Sequence, residues 1–526
     1  MTSIHFFLVQ NLGSTVRSHY YFYYHFMILL LVFMITFLVV LFKQQRRNAK
    51  WILPPGPRRL PVIGNLHQLG SDLLHVSLEK LSKQYGPLMY LQLGSIPTLV
   101  VSSAEMAKEI MKTHDLVFSN RPTLYAAKKL FYGCSDIGFA TYGEYWREAR
   151  KIAILELLSA KRVLSYRAVR EEEVALAIEL IRQSSSSFVP VNLSEILLCL
   201  LNNIVCRVAF SVKYFSVQGE GDNNSKTKFN LMLQETGNLI AGFSTADLFP
   251  WMGWIHKFDG LDTRLEKNYR QFDEFFNKVI EAHLNTSKSR KPDVEDFVDV
   301  LLRVQEDTSQ SIRLTTNQMK GIIKDVFVAG TDTSAAALVW TMTELIRNPI
   351  IMKRVQEEVR TETGTKDMVE ESDLHKLSYT KLVIKEALRL HPPVPLLLPR
   401  ETREKCTIDG YDIPMKTTVL INAKAISTDP KYWKEPDEFR PERFLDSNID
   451  YKGQDFELIP FGGGRRGCPG INFSAVLVEL VLANLLHSFD WKLPSGMTVK
   501  QVDMNEAFGL VMHKKIPLCL VADNRK

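Results

Sequence analysis

The stretch Phe461-Gly-Gly-Gly-Arg-Arg-Gly-Cys468-Pro-Gly470 sets one cysteine in surroundings made for a thiolate. Its glycines let the backbone turn tightly and bring N–H groups close to the sulfur. Pro469 is expected in the first turn of a helix over the apolar segment Ile471–Leu486, whose positive dipole end faces Cys468. Adjacent arginines and a helix N-terminus both lower a thiol pKa and favour the anionic ligand. A zinc or iron–sulfur site needs companion cysteines or histidines at short spacing, and none lies near. A single soft ligand with open chemistry on its far side suits a haem iron. Taken alone, the loop also fits a phosphate cradle, although no Gly-Lys-Ser/Thr pattern accompanies it, or an ordinary buried thiol.

Three other clusters carry chemistry. In Ala329-Gly-Thr-Asp-Thr-Ser334, small residues let a bulky group approach the backbone, while Asp332 and Thr333 bring an acid and a hydroxyl. Such hydroxyls compete for helix hydrogen bonds, so a locally distorted, wet turn is expected there. Glu386-Ala-Leu-Arg389 puts opposite charges on one face of an otherwise apolar helix, a pair that needs a further partner if it is buried. Pro441-Glu-Arg443-Phe can supply one. Trp146 and Arg150, spaced i, i+4, point two donors the same way, which suits a carboxylate. Each cluster also has a plain reading, as helix polarity, a solvated pair or a core tryptophan.

The elements that must position these groups are mostly helical. Thr316–Asn348 runs without proline until Pro349, roughly 50 Å of helix, apolar on several sides and therefore buried. Ser378–His391 is a second helix, stopped by Pro392-Pro393. Strand patterns are confined to Leu88–Leu93, Thr98–Val101 and Thr417–Ile421. The expected fold class is mainly α with small β-sheets.

With these motifs in this order, the chain resembles the cytochrome P-450 superfamily of haem-thiolate monooxygenases over nearly everything after residue 26. Phe461-x-x-Gly464-x-Arg466-x-Cys468-x-Gly470 matches the family's haem loop, and Glu386-x-x-Arg389 with Pro441-Glu-Arg443-Phe444 matches its structural triad. Ala329-Gly330-x-Asp332-Thr333-Ser334 matches its oxygen-activation motif. Together with the Pro-Pro-Gly-Pro hinge, these versions resemble the plant microsomal A-type group near family 71. The resemblance implies haem b, with Cys468 as the iron ligand. Trp146, Arg150, Arg400 and Arg466, and more weakly Arg121, stand at propionate-binding positions. It assigns Asp332 and Thr333 a proton relay during dioxygen activation. Electrons are expected from NADPH through a membrane-bound flavoprotein reductase, with cytochrome b5 as a further partner, and Arg147, Lys151 and Arg465 as a docking patch. The family's substrate-recognition segments map to Thr123–Ile137, Leu239–Trp254, Ile322–Thr331, Val394–Pro399 and Phe508–Met512. Their apolar residues, Leu396 to Leu398, Phe243, Phe508, Leu510 and Val511, predict a small hydrophobic substrate: a terpenoid, a coumarin or other phenolic, an alkaloid or an aldoxime. The rivals are a haem-thiolate isomerase or dehydratase that needs no NADPH, and a non-enzymatic haem sensor or carrier.

Charge and hydropathy supply the address. The chain of 526 residues holds 65 basic and 59 acidic side chains, a net +6, with a hydrophobic fraction of 45% that excludes disorder. The excess sits in residues 1–59, which contain Arg17, Lys43, Arg46, Arg47, Lys50, Arg58, Arg59 and no acid. It flanks an apolar run and so does not signal nucleic acid. Phe26–Phe42 is just long enough to cross a bilayer, with tyrosines at its front and basic residues behind. An uncleaved single-pass anchor in the endoplasmic reticulum is expected, its large C-terminal part in the cytosol. A cleaved signal peptide fits less well, because no small-x-small site follows. The six dispersed cysteines fit a reducing compartment. The expected organisation is an extension of unassigned role over 1–25, the anchor over 26–42, a basic, proline-rich hinge over 43–59, and one haem domain over 60–526.

Overall fold

The long helix starts where Thr315 can cap it. The Thr315 hydroxyl accepts from the Gln318 N–H, and the Gln318 side chain accepts from the Thr315 N–H. In the computed structural model, which describes residues 23–32, 34–35, 51–185, 189–212, 223–286, 295–307 and 312–525, this central helix spans Thr316–Arg347. Asn348 ends it and Pro349 opens the next helix, Pro349–Thr363, as proline does at a first helical position. The expected span holds to within one residue. The turn at residues 329–334 remains α-helical, however, and the expected distortion is missing. Thr333 satisfies its hydroxyl within the helix, donating to the Ala329 carbonyl at 2.7 Å.

The central helix packs against helices Leu193–Phe210, Ser378–Leu390 and Ile471–Ser488. By length and apolarity, Leu193–Phe210 and Ile471–Ser488 can each cross a membrane, but 67% of each is buried inside the molecule, so both are core helices. The described residues also hold nine short strands. They are β1 (Leu88–Leu93), β2 (Ile96–Val101), β3 (Val191–Asn192), β4 (Arg400–Glu401), β5 (Cys406–Ile408), β6 (Tyr411–Ile413), β7 (Thr418–Ile421), β8 (Phe489–Lys492) and β9 (Cys519–Asn524). One sheet has the order β1-β2-β7-β4, with β2 and β7 parallel and its other pairs antiparallel, and a second has the order β3-β9-β8. The expectation captured β1, β2 and β7. It missed the two- and three-residue strands, which are too short to show a period, β8, which continues directly from a helix, and β9 at the C-terminal end.

Glu386 and Arg389 are both fully buried and joined twice, at 2.8 and 2.9 Å. The partner expected from Arg443 is present, its Nε donating to Glu386 at 3.0 Å. The Arg440 backbone N–H adds a fourth donor at 2.9 Å. Arg389 spends its remaining donors on the Ser427, Pro436 and Glu438 carbonyls, so the buried charges are compensated.

The chain divides into two units, Met1–Pro54 with Thr407–Asp412, and the remainder. In the first, the Ile52 N–H donates to the Asp412 carboxylate at 3.2 Å. Its helix Tyr23–Val32 carries exposed apolar side chains, Leu29 at 68%. Of the expected anchor over 26–42, residues 33 and 36–42 lie outside the described residues, as do residues 1–22 and 43–50.

Candidate active site

The cysteine loop is shaped by glycine where the chain leaves no room. Gly464 has φ +64, and a Cβ there would stand 2.2 Å from the Met111 carbonyl oxygen and 2.6 Å from an Asp115 carboxylate oxygen. The chain then enters helix Ile471–Ser488 with Gly470 at its N-cap. Pro469 therefore lies in the turn before the helix, not in its first turn as expected. The Gly470 N–H points at the Cys468 sulfur, 3.4 Å away.

The sulfur is exposed by area, yet burial pushes the thiol upward in pKa. Both hold if it opens on a hollow inside the molecule. The expected lowering is reversed: desolvation outweighs the Gly470 N–H and the Arg150 charge, and Asp325 opposes them further. A thiolate here needs a cation bound to the sulfur itself, and an iron supplies one. Asp325 of the central helix is close enough to act electrostatically on the sulfur. Ala329 is exposed in the middle of this otherwise buried element, with Asp325 and Thr333 partly exposed one turn to either side. Ser334 meets Ser474 of the cysteine helix at 3.1 Å.

Four guanidinium groups converge beside the loop. Arg150 donates to the Gly467 carbonyl at 2.6 Å and Arg400 to the Gly463 carbonyl at 2.7 Å. Arg466 donates to the carbonyls of Ser119, Ile137 and Ala140, and Arg121 to those of Gly138, Leu398 and Pro399. Burial, then mutual repulsion, pushes Arg466 down to about 9; burial also pushes Arg400 to about 10, although Asp115 opposes the shift. Arg121 is driven down by the same two effects and Arg150 by burial. Guanidinium groups stay charged, so these shifts measure a cost of enclosure, with mutual repulsion added at Arg466, Arg121 and Arg400, that an anion would relieve. Arg400 Nη1 has no hydrogen bond, and its contact with Asp115 is a loose 3.6 Å. The cluster fits the two carboxylates of a haem.

Trp146 differs from expectation. Its indole N–H donates to the Ile137 carbonyl at 2.9 Å, so it fixes the loop and leaves no free donor. Its ring lies 4.1 Å beneath the Arg466 guanidinium. Sequence reasoning also missed the pair Asp136 and Asp325. Asp325 accepts from the Ile137 and Gly138 N–H groups at 2.7 and 2.8 Å and so straps the loop 135–139 to the central helix. Gly321 permits this approach, since a Cβ there would stand 3.0 Å from the Ser135 carbonyl oxygen. Burial, then the facing carboxylate, raises Asp136, and burial raises Asp325 to about 6. No local motif announces a pair 189 positions apart.

Of the expected substrate segments, four share one apolar cluster, through Leu124 and Phe131, Leu239 and Phe243, Leu398, and Leu510. Leu396 packs elsewhere, and Phe508, Trp251 and Trp254 are largely exposed. In the expected docking patch, Arg465 already pairs with Asp115 and Lys151 with Glu148, while Arg147 is exposed. A distant cluster of His283, Asp296 and Asp299 has metal-like composition. Both ring nitrogens of His283 face acceptors, Val279 O and Asp296, and its pKa rises to about 9. It is an imidazolium ion pair with no lone pair for a metal.

This mainly helical fold, with one cysteine in a glycine loop beside a cationic cradle, fits a haem-thiolate enzyme. The chain belongs to the cytochrome P450 family, whose sequence profile matches residues 54–520. It is 59% identical to cytochrome P450 71A9 of Glycine max over 90% of this chain and 93% of that one. It is 54% identical to the strychnine-11-hydroxylase of Strychnos nux-vomica (91% and 93% covered) and 50% identical to the phenylacetaldehyde oxime monooxygenase CYP71AN24 of Prunus mume (90% and 90%). A solved zebra fish cytochrome P450 with progesterone superimposes with a TM-score of 0.71 at 26% identity, covering 86% of this chain and 99% of that one. The protein is an oxidoreductase of the haem monooxygenase type, and these relatives do not favour the isomerase or dehydratase rival.

Proposed function

We propose that the protein is a membrane-anchored monooxygenase of the endoplasmic reticulum that inserts one oxygen atom into a small hydrophobic plant metabolite, with electrons from NADPH through a flavoprotein reductase. The observation that carries this reading is the Cys468 sulfur, exposed by area in a tight glycine loop beside four converging guanidinium groups. The anchor over 26–42, the hinge over 43–59 and the haem domain over 60–526 belong to the same reading. Exposed Trp251, Trp254 and Phe258 suit a domain that rests on a lipid interface. The apolar cluster joining four loops supports a hydrophobic substrate, as do the compounds named for two relatives, strychnine and phenylacetaldehyde oxime.

Cys468 would hold the haem iron, and Arg150, Arg400, Arg466 and Arg121 its propionates, with Trp146 bracing that cradle. When bound, the haem supplies the oxidation of a C–H or C=C bond by dioxygen. The chain's own residues orient the substrate, exclude water and time the protons. Asp332 and Thr333 hold and pass a proton at Oδ1 and Oγ1.

A panel containing strychnine, phenylacetaldehyde oxime, terpenoids and coumarins tests the reading. At least one compound should shift the spin state and yield a product carrying one atom from labelled dioxygen, only with NADPH and reductase present. A product formed equally well without NADPH would refute it. Thr333→Ala should keep both fold and haem, because the hydroxyl bonds only its own helix, a contribution of about 1 kcal/mol or less. The same variant should divert consumed electrons to hydrogen peroxide. Unchanged product per NADPH would remove Thr333 from the relay.

A further inference from the structure

Asp332 is not free. His513 Nε2 stands 2.9 Å from its Oδ1, a contact across 181 positions between the central helix and the C-terminal segment. Among the described residues, no arginine or lysine forms an ion pair with Asp332, so its one ionic partner titrates near neutrality. On the helix Asn223–Ile240, the group facing Asp332 is Gly237, where a Cβ would lie 3.9 Å from Oδ2. Asp332 is also the one charged group that His513 responds to: burial lowers the imidazole, the carboxylate raises it, and the carboxylate wins. Neighbouring charges in the segment are occupied elsewhere, Glu506 with His75 and Lys514 with the Asp503 carbonyl and the Trp340 ring.

The imidazole is held in place. The His513 carbonyl accepts from the Ala507 N–H at 2.7 Å, and the Met512 N–H donates to the Pro393 carbonyl at 2.9 Å. The Met512 carbonyl accepts from the Trp340 indole at 2.8 Å, and Trp340 stacks on His391 at 4.2 Å. The segment that presents His513 is therefore tied to the central helix through Trp340 and to the Pro393 carbonyl beside it.

We propose that His513 is the positioning residue for Asp332, holding its carboxylate by a charge-assisted hydrogen bond and recharging it with protons. The inference rests on the relay assigned to Asp332 above. In each transfer the His513 Nε2–H bond breaks and an Asp332 Oδ1–H bond forms; the imidazole is left neutral and regains its proton from water. A permanent cation in this place would fix the carboxylate but could not refill it. A histidine does both, and it confines the relay to pH values at which it carries its proton.

The test uses the haem-loaded full chain with a plant flavoprotein reductase and NADPH, without added substrate. It reads the share of consumed oxygen recovered as hydrogen peroxide and not as water. In the wild type this share should climb as pH rises through the His513 titration. In His513→Gln the water-forming branch should slow about tenfold, in the range of outer-shell partners, and lose that pH dependence. Asp332→Asn should show the same high share, and the double variant should add nothing to it. A His513→Gln profile like the wild type, or additive effects in the double variant, overturns the proposal. If Asp332→Asn itself behaves as wild type, it is the relay reading that falls.

Thermal unfolding gives a second readout. The folded pKa of His513 is raised above 6.5, so the pair's stabilisation is complete below about 6.5 and disappears as pH rises through the raised value. The melting difference between wild type and His513→Gln should be present at about pH 6, shrink as pH rises through the raised value, and be absent on the Asp332→Asn background. A difference that does not change with pH overturns the proposal. His513→Asn serves if the glutamine variant lacks the thiolate-type band of its reduced carbonyl complex.

Discussion

Cys468→Ala abolishes the thiolate-type Soret band of the reduced carbonyl complex and all NADPH-dependent turnover. The effect is total because the ligand role has no deputy. Burial raises the thiols of Cys134, to about 12, of Cys206, and of Cys406, to about 11, and none of these belongs to the arginine-lined loop. The substitution should leave the chain folded, since the sulfur's protein contact is one long bond from the Gly470 N–H. Circular dichroism and the absorption spectrum of the purified variant separate the two outcomes. A normal helical spectrum without the band is expected; a retained band refutes the assignment.

Glu386→Ala acts on the other end of the problem and should prevent the holoprotein from accumulating. It removes the common acceptor of Arg389, Arg443 and the Arg440 backbone N–H, leaving one guanidinium with no solvent access and a second nearly so. Breaking a buried ion pair from one side costs about 3–5 kcal/mol, against a total stability of about 5–15 kcal/mol. Glu386→Gln keeps the shape and one acceptor oxygen but not the charge, and should lie between alanine and wild type. Holoprotein yield and melting temperature measure both. An alanine variant that loads haem normally and melts with the wild type would show that the triad contributes little.

What could be read in advance was local. The central helix is set by a capping pair at one end and Asn348-Pro349 at the other, and the cysteine loop by glycines whose clash partners enforce it. Glu386 and Arg389 stand three apart on one helix face, so their pairing follows from helical geometry. What stayed hidden joins distant residues. The Trp146 N–H looked available until the loop at Ile137 was seen to take it. The Cys468 thiol looked acidic because its neighbours are cationic, but enclosure by the fold costs more than they return. Asp332 was legible as an acid, while its partner lies in a C-terminal segment that carries no motif.

The arginines beside the loop have a consequence for biogenesis. Arg466 and Arg121 grip the carbonyls of Ile137, Gly138 and Ala140, while Arg150 and Arg400 grip those of Gly467 and Gly463. The same mutually repelling cations thus brace both the segment that straps the central helix and the segment that presents the sulfur. Neutralising them with a dianionic porphyrin tightens both together. Holoprotein yield is then expected to follow porphyrin supply during synthesis, because the same cations would be neutralised in both segments at once.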